Sequence, residues 1–459
     1  MIRILFLMFI ALPGSYGRYE PNWGSLDTRP LPQWYDEAKL GIFIHWGVFS
    51  VPSYSSEWFW SQWANNNEEV VSFMKENYPP NFTYQEFAKD FKAEFFNASE
   101  WAEIFQQSGA RYIVLTSKHH EGYTLWPSKY SYSWNSVDIG PRRDIVGELA
   151  EAVRRRNITF GLYHSLFEWF HPIYLSDKAS NWTKKEFVTN KIIPEMRELI
   201  QTYEPAVLWS DGDWEAPDSY WNSTEFLAWL YNDSPVKDSI VTNDRWGIDI
   251  PCKHGDFFSC QDRYNPGTLQ LHKWENAMTI DKQSWGFRRN AKLSDYYSTL
   301  ELISQLVSTV SCGGNLLMNV GPTKEGILAP IFQQRLKELG DWLAINGEAI
   351  YGSKPWSTQN DSLDSSVWYT ASKDDNVVYA ISLHWPLENI LTLGSTQDIF
   401  RYTDTVIFLL GNEKDGVLNW SVEDNGAVAI EFPNKSITKS DGAYVLKIVV
   451  NGSISVGQI

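Results

Sequence analysis

The chain has 459 residues, with Lys+Arg at 39 against Asp+Glu at 56 and a formal net charge of −17. That balance argues against a dedicated binder of nucleic acid or of an anionic membrane, either of which needs a basic surface. Hydrophobic residues make up 43% and charged residues 21%, a globular rather than a disordered composition. At about 100–200 residues per domain, the length suits several domains, or one large barrel with a small companion. The 23 Trp, 23 Tyr and 24 Phe supply flat apolar platforms, on which the C–H faces of sugars rest but which a packed core also uses.

Met1–Gly17 has Arg3, an apolar run Ile4–Leu12 and the small residues Ser15 and Gly17, which predicts a secretory signal cleaved after Gly17. The run is too short to span a bilayer, and no later stretch of about 20 apolar residues follows, so the mature chain is expected to be soluble. Asn-x-Ser/Thr sequons at Asn81, Asn97, Asn157, Asn181, Asn222, Asn360, Asn419, Asn434 and Asn451 fit the secretory route. A further sequon at Asn232 runs into Ser234-Pro235, a poor context.

Short apolar runs ending in polar residues predict strands at Gly41–Trp46, Tyr112–Ser117, Ile158–His164, Ala206–Ser210, Ser239–Asn243, Ala277–Ile280 and Leu316–Val320. Helical patterns lie between several of them: two within Tyr84–Gln107, interrupted near Asn97, then Asp144–Arg156, Lys184–Tyr203, Asp295–Val310 and Pro330–Asn346. This alternation implies a parallel sheet, and its length suits a (β/α)8-like barrel over residues 18–356. A doubly wound sheet is the alternative, but no Gly-x-Gly-x-x-Gly turn follows the first strand. Past Lys354-Pro355-Trp356 the helices stop. Val367–Ala371, Val377–Leu383, Thr405–Leu410, Ala427–Glu431 and Ala443–Val450 predict a small antiparallel β-sandwich over 357–459.

The chain has 3 cysteines. Cys252 and Cys260 bracket a short polar loop and are expected to close it as a disulfide in an oxidising compartment. Cys312 reads as a buried thiol. No zinc-type ligand spacing occurs, and no metal is expected.

In a barrel the reaction site lies at the C-terminal ends of the strands. Here those ends read His45-Trp46, Lys118-His119-His120-Glu121, Tyr163-His164, Trp209-Ser210-Asp211-Gly212-Asp213 and Asn243-Asp244-Arg245-Trp246. There is no Gly-x-Ser-x-Gly elbow, phosphate loop or His-Glu-x-x-His. Carboxylates, imidazoles and aromatics remain, which is the equipment of glycoside hydrolysis. His164 faces away from Tyr163 by strand alternation and reads as structural.

The sequence closely resembles the animal α-L-fucosidases of glycoside hydrolase family 29, of the lysosomal and plasma type. The resemblance rests on Lys39-Leu40-Gly41-Ile42-Phe43-Ile44-His45-Trp46-Gly47, Ser56-Glu57-Trp58-Phe59-Trp60, Ser117-Lys118-His119-His120-Glu121-Gly122, Leu208-Trp209-Ser210-Asp211-Gly212, Asn243-Asp244-Arg245-Trp246-Gly247 and Gly313-Gly314-Asn315-Leu316-Leu317-Met318-Asn319-Val320-Gly321-Pro322. These motifs cover the proposed barrel; the C-terminal part is similar to the family only in kind.

The resemblance implies that Asp211 is the nucleophile, although Asp213 shares its face on a regular strand and spacing alone does not separate them. It implies that His45, Trp58, His119, His120, Tyr163, Trp209 and Arg245 hold the fucose ring. For Trp58, in the loop after the first strand, a plain core position is the competing reading. Asp262 and Glu275 both resemble acid/base positions, with Asp262 preferred. A retaining exo-hydrolysis of terminal α-L-fucose from glycoprotein or oligosaccharide glycans would follow, through a covalent fucosyl-enzyme and without metal or organic cofactor. Fucosylated glycans would be the partners, a homo-oligomer is compatible, and the destination would be secretion or the lysosome. A catalytically silent fucose-binding lectin on the same barrel, or a glycosidase for another sugar, are the competing functions.

Overall fold

A computed structural model describes residues 17–401 and 405–450. The expected signal segment, apart from Gly17, and the Asn451 sequon lie outside the described residues. Seven parallel strands form one curled sheet in the order β5-β4-β3-β2-β1-β7-β6. They are β1 Leu40–Ile44, β2 Tyr112–Lys118, β3 Thr159–Ser165, β4 Val207–Asp211, β5 Val241–Thr242, β6 Trp274–Thr279 and β7 Gly314–Val320. The gap between β5 and β6 is filled by an irregular segment: Asp256 N donates to Thr242 O (3.1 Å), Phe258 N to Lys273 O (2.8 Å) and Glu275 N to Phe258 O (2.9 Å). The eighth position of the ring is therefore occupied by loop backbone instead of a regular strand.

Strand alternation divides the core in two. Phe43, Tyr112, Val114, Tyr163, Val207, Trp209, Ala277 and Leu317 point into the barrel. Ile42, Ile44, Ile113, Leu115, Leu316 and Met318 pack outward against the helices. The strands are buried on both faces, as a helix-covered parallel sheet requires. At the barrel floor Gly41 leaves room for Tyr112, whose ring lies 2.4 Å from where a Cβ would stand.

Several predicted bounds move for identifiable reasons. The first strand ends at Ile44 and not at Trp46. The Trp46 indole turns outward to donate to Thr323 O (2.7 Å) and packs on Phe91, Phe96 and Trp101. The break near Asn97 is a helix start, since Asn97 caps Ala98–Gln107 by accepting from Ser99 N and Glu100 N. The Lys184–Tyr203 pattern opens with a π turn, Val188–Ile192, ahead of Ile193–Tyr203, where Pro194 lacks an N–H to donate. The fifth strand shrinks to Val241–Thr242.

The C-terminal strands are β8 Lys354–Asn360, β9 Val367–Ala371, β10 Val377–Ser382, β11 Ile390–Leu393, β12 Val406–Leu409, β13 Trp420–Val422, β14 Val428–Glu431 and β15 Tyr444–Val449. They form antiparallel sheets in the orders β12-β15-β10-β9-β8 and β11-β14-β13. Val367, Tyr369 and Val378 of one sheet share a core with Leu391, Leu393, Val428 and Ile430 of the other. The sandwich is tied to the barrel by Trp342 Nε1 donating to Ala443 O (3.0 Å) and Asn346 Nδ2 to Ser440 Oγ (2.9 Å).

Of the sequons, Asn81, Asn97, Asn157, Asn181, Asn419 and Asn434 are exposed, and Asn222 and Asn360 are half-buried. The Asn360 amide donates to Ser365 O and Val367 O, and that of Asn232 to Tyr19 O and Ala228 O.

Candidate active site

The C-terminal ends of the strands converge on one pocket. His45, Trp58, His119, His120, Tyr163, Trp209, Asp211, Arg245 and Asp262 line it, joined by Phe43, Glu57, Trp214 and Trp285. Trp58 is thus a wall of the pocket and not only a core aromatic.

Asp211 ends β4. Its Oδ2 accepts from Tyr163 OH (2.8 Å) and its Oδ1 from Arg245 Nη1 (3.0 Å), while His120 Nε2 stands 3.6 Å from Oδ2. Gly212 then takes φ 87°, which breaks the strand and its two-residue alternation. Asp213 consequently does not line the pocket. It is buried, and desolvation lifts its carboxyl to about 7 despite the counteracting charge of Arg245. The structure thus separates two aspartates that spacing left equivalent.

Asp262 approaches from the loop between β5 and β6. Arg245 Nη2 donates to its Oδ1 at 2.7 Å. The loop is pinned by the Cys252–Cys260 disulfide, with Cα atoms 4.8 Å apart. It is also pinned by the buried carboxylate of Asp244, which accepts from Cys252 N, Ser259 N, Ser259 Oγ and Cys260 N. The Asp262 side chain keeps 46% of its surface exposed, at the mouth of the pocket.

The imidazoles are oriented from behind. Asn319 Nδ2 donates to Trp285 O (2.7 Å), so its Oδ1 accepts from His45 Nδ1 (2.8 Å). Ser165 Oγ donates to Phe167 O (2.8 Å) and so accepts from His120 Nδ1 (2.6 Å). In both rings the network places the proton on Nδ1 and leaves Nε2 as an acceptor. Burial first, and the neighbouring His119 second, push both imidazoles well below their ordinary range, which keeps them neutral. His164 points to the other side of the sheet, against Trp126 and Glu195.

Glu275 requires a correction. It stands opposite Asn315 near the start of β6 and β7, at the barrel floor. It accepts from Tyr35 OH (2.6 Å), Tyr112 OH (2.6 Å) and Trp209 Nε1 (2.9 Å), and it does not line the pocket. An acid must reach the glycosidic oxygen, and strand geometry points this carboxylate elsewhere.

Sequence reasoning did not place Phe43, Trp214 or Trp285 in the site, and met Glu57 only within the motif that carries Trp58. Glu57 Oε2 accepts from Ser284 Oγ (3.1 Å), Trp285 N (2.9 Å) and Gly286 N (3.2 Å), clasping the loop after β1 to the loop after β6. That clasp sets Trp285, whose ring lies 5.1 Å from the ring of His45. Trp214 lies three residues past Asp211. Its neighbours Gly212 and Asp213 drew attention in the sequence; a Trp in a Trp-rich chain gave no separate signal.

Comparison with known proteins agrees with this geometry. The sequence model of the alpha-L-fucosidase family matches residues 7–348, and that of the alpha-L-fucosidase C-terminal domain matches 359–449. An alpha-L-fucosidase of Branchiostoma floridae is 57% identical over 422 residues, 91% of this chain and 92% of that protein. The plasma alpha-L-fucosidase of Homo sapiens is 57% identical over 426 residues, covering 92% and 90% respectively. The human tissue alpha-L-fucosidase is 51% identical over 454 residues, covering 97% and 96%. Among solved structures, the Thermotoga maritima alpha-fucosidase in complex with fucose is 32% identical, with a TM-score of 0.81 over 94% of this chain and 100% of that one. Matched by both family models along nearly its whole length and by relatives more than half identical over nine-tenths of it, the chain belongs to the α-L-fucosidase family of glycoside hydrolases.

Proposed function

We propose that the protein is a retaining exo-α-L-fucosidase acting on terminal fucose of glycoprotein or oligosaccharide glycans. The observation that supports this best is the pairing, through one arginine, of Asp211 in the depth of the pocket with Asp262 at its mouth. Asp211 attacks the anomeric carbon and the glycosidic bond breaks. Asp262 gives its proton to the departing oxygen. In the second step Asp262 takes a proton from water, whose oxygen displaces Asp211 and releases fucose. Tyr163 and Arg245 donate to Asp211 before attack, which aims the carboxylate. His45 and His120, each neutral with a free Nε2, accept from sugar hydroxyls. Trp58 and Trp209 pack against the ring. A silent lectin has no use for two carboxylates, one at the base and one at the mouth.

The alpha-fucosidase of Thermotoga maritima has been solved with fucose and with a mechanism-based inhibitor, which fits a covalent route here too. Relatives of plasma and tissue type, with the signal-like N-terminus, favour a secreted or lysosomal location.

The test is hydrolysis of an aryl α-L-fucoside by wild type beside Asp211→Gly. The variant should lose several orders of magnitude in kcat while remaining folded. Azide should partly restore turnover and give a fucosyl azide of inverted configuration. If Asp213→Gly behaves that way and Asp211→Gly does not, the assignment fails.

A further inference from the structure

The pocket walls are buried or half-buried except at two residues, Asp262 and Trp214. Trp214 keeps 43% of its surface exposed although it lies among aromatic rings. Its ring meets His120 edge-on at 5.5 Å and Phe167 edge-on at 5.5 Å, and it stacks offset on Trp58 at 6.0 Å and 27°. None of these contacts covers the indole. The backbone beneath it is nonetheless firmly held. Gly212 makes the turn, Asp213 is buried, and Glu215 accepts from Tyr174 OH and from Lys178 Nζ (2.7 Å). A large apolar ring fixed in this way at a pocket mouth presents a face to something that arrives from solvent.

We propose that Trp214, with the adjoining edge of Trp58, is the platform for the aglycone sugar, the residue to which fucose is attached. This rests on the reading given under Proposed function. The buried His45, His120, Tyr163 and Asp211 surround the fucose ring in the depth of the pocket. The acid that must reach the glycosidic oxygen is half-exposed, which puts that oxygen at the rim. Everything on the far side of the oxygen therefore lies outside, where Trp214 is the exposed aromatic among the lining residues. The occupant is a neutral pyranose resting its C–H face on the indole, and the remainder of the glycan extends into solvent.

The experiment compares kcat/KM on α-L-fucosyl fluoride, which has no aglycone sugar, with kcat/KM on a fucosyl-galactose disaccharide. Wild type, Trp214→Ala and Trp214→Phe are measured on both. Trp214→Ala should lose about 10-fold more on the disaccharide than on the fluoride, the size of one well-placed stacking contact. Trp214→Phe should recover most of that difference, and free fucose should inhibit the variants and wild type alike. Equal losses on the two substrates would overturn the proposal by placing Trp214 on the fucose or in the fold. No loss on either would overturn it by leaving the platform unused. If wild type fails to turn over even the fluoride, the underlying reading falls and takes this one with it.

Discussion

Asp211 and Asp262 are held by the two terminal nitrogens of the same guanidinium: Arg245 Nη1 reaches Asp211 Oδ1 at 3.0 Å and Nη2 reaches Asp262 Oδ1 at 2.7 Å. The planar fork fixes the two carboxylates relative to each other, and its stack over the Trp209 ring, 4.7 Å from the centroid, fixes the fork. The two negative charges in turn hold the guanidinium firmly protonated against the cost of its burial.

A lysine has one nitrogen where the fork has two, so Arg245→Lys keeps the charge and loses the bridge. We expect kcat/KM to fall by about 100-fold, or about 3 kcal/mol, with the larger share in kcat because the carboxylates are misaimed. Steady-state kinetics on an aryl fucoside checks this. A lysine variant within a few-fold of wild type would show that charge suffices.

Much of this site was legible in the sequence because β-strands end where their polar residues begin. His45, His119, Tyr163, Asp211 and Arg245 each follow an apolar run, and barrel geometry brings such ends together. Glu275 shows where that reasoning stops. Its neighbour Trp274 suggests an apolar wall, but whether a polar residue lies at the floor or the mouth depends on strand register, and Glu275 pairs with Asn315 near the start of β7. Asp213 stayed a rival to Asp211 for a different reason: two-residue alternation holds only along a continuous strand, and Gly212, where the strand was expected to end, leaves it. The eighth barrel position was illegible because irregular backbone, with no hydrophobic period, fills it.

Glu275 has a structural role to test. Three donors converge on it from Tyr35, Tyr112 and Trp209, all buried. Glu275→Ala leaves a cavity and orphans those donors, which should cost about 3–5 kcal/mol and lower Tm markedly. Activity per folded molecule should fall by the same factor on activated and on natural linkages, since the loss acts through the floor of the pocket and not on the leaving oxygen. Thermal unfolding and a two-substrate comparison together decide it.

Asp213 sets a pH dependence of stability. Its carboxyl titrates near 7 in the fold, raised from 3.8 first by burial and further by Asp211 and Asp244, with Arg245 opposing. Between those two values the folded state binds more protons than the unfolded one, so this group makes stability fall as pH rises through the window. Its contribution is greatest below the lower value and is lost above 7. Asp213→Asn removes this component. Chemical denaturation at pH 5 and pH 8 should show a smaller decline for the variant than for wild type, and an equal decline would exclude Asp213 as its source.

Asp262 is tested through the leaving group. An activated aryl group departs without a proton, whereas a sugar alkoxide does not. Asp262→Ala should therefore nearly abolish release of fucose from oligosaccharides, yet leave formation of the fucosyl-enzyme from an activated aryl fucoside largely intact. The second step, which needs a base for water, then becomes slow. The intermediate accumulates and a burst of aryl product precedes the steady state. Azide needs no base, so it should speed that step and yield a product of retained configuration, opposite to the product of Asp211→Gly. The exposure of Asp262 bears on this, because small anions from solvent reach the space its side chain vacates. Loss of the side chain also frees Arg245 Nη2 while Nη1 stays on Asp211, so the nucleophile keeps its aim and the first step survives. Equal losses on aryl and sugar leaving groups, without burst or azide effect, would remove Asp262 from the role of acid and leave it as a partner of Arg245 alone.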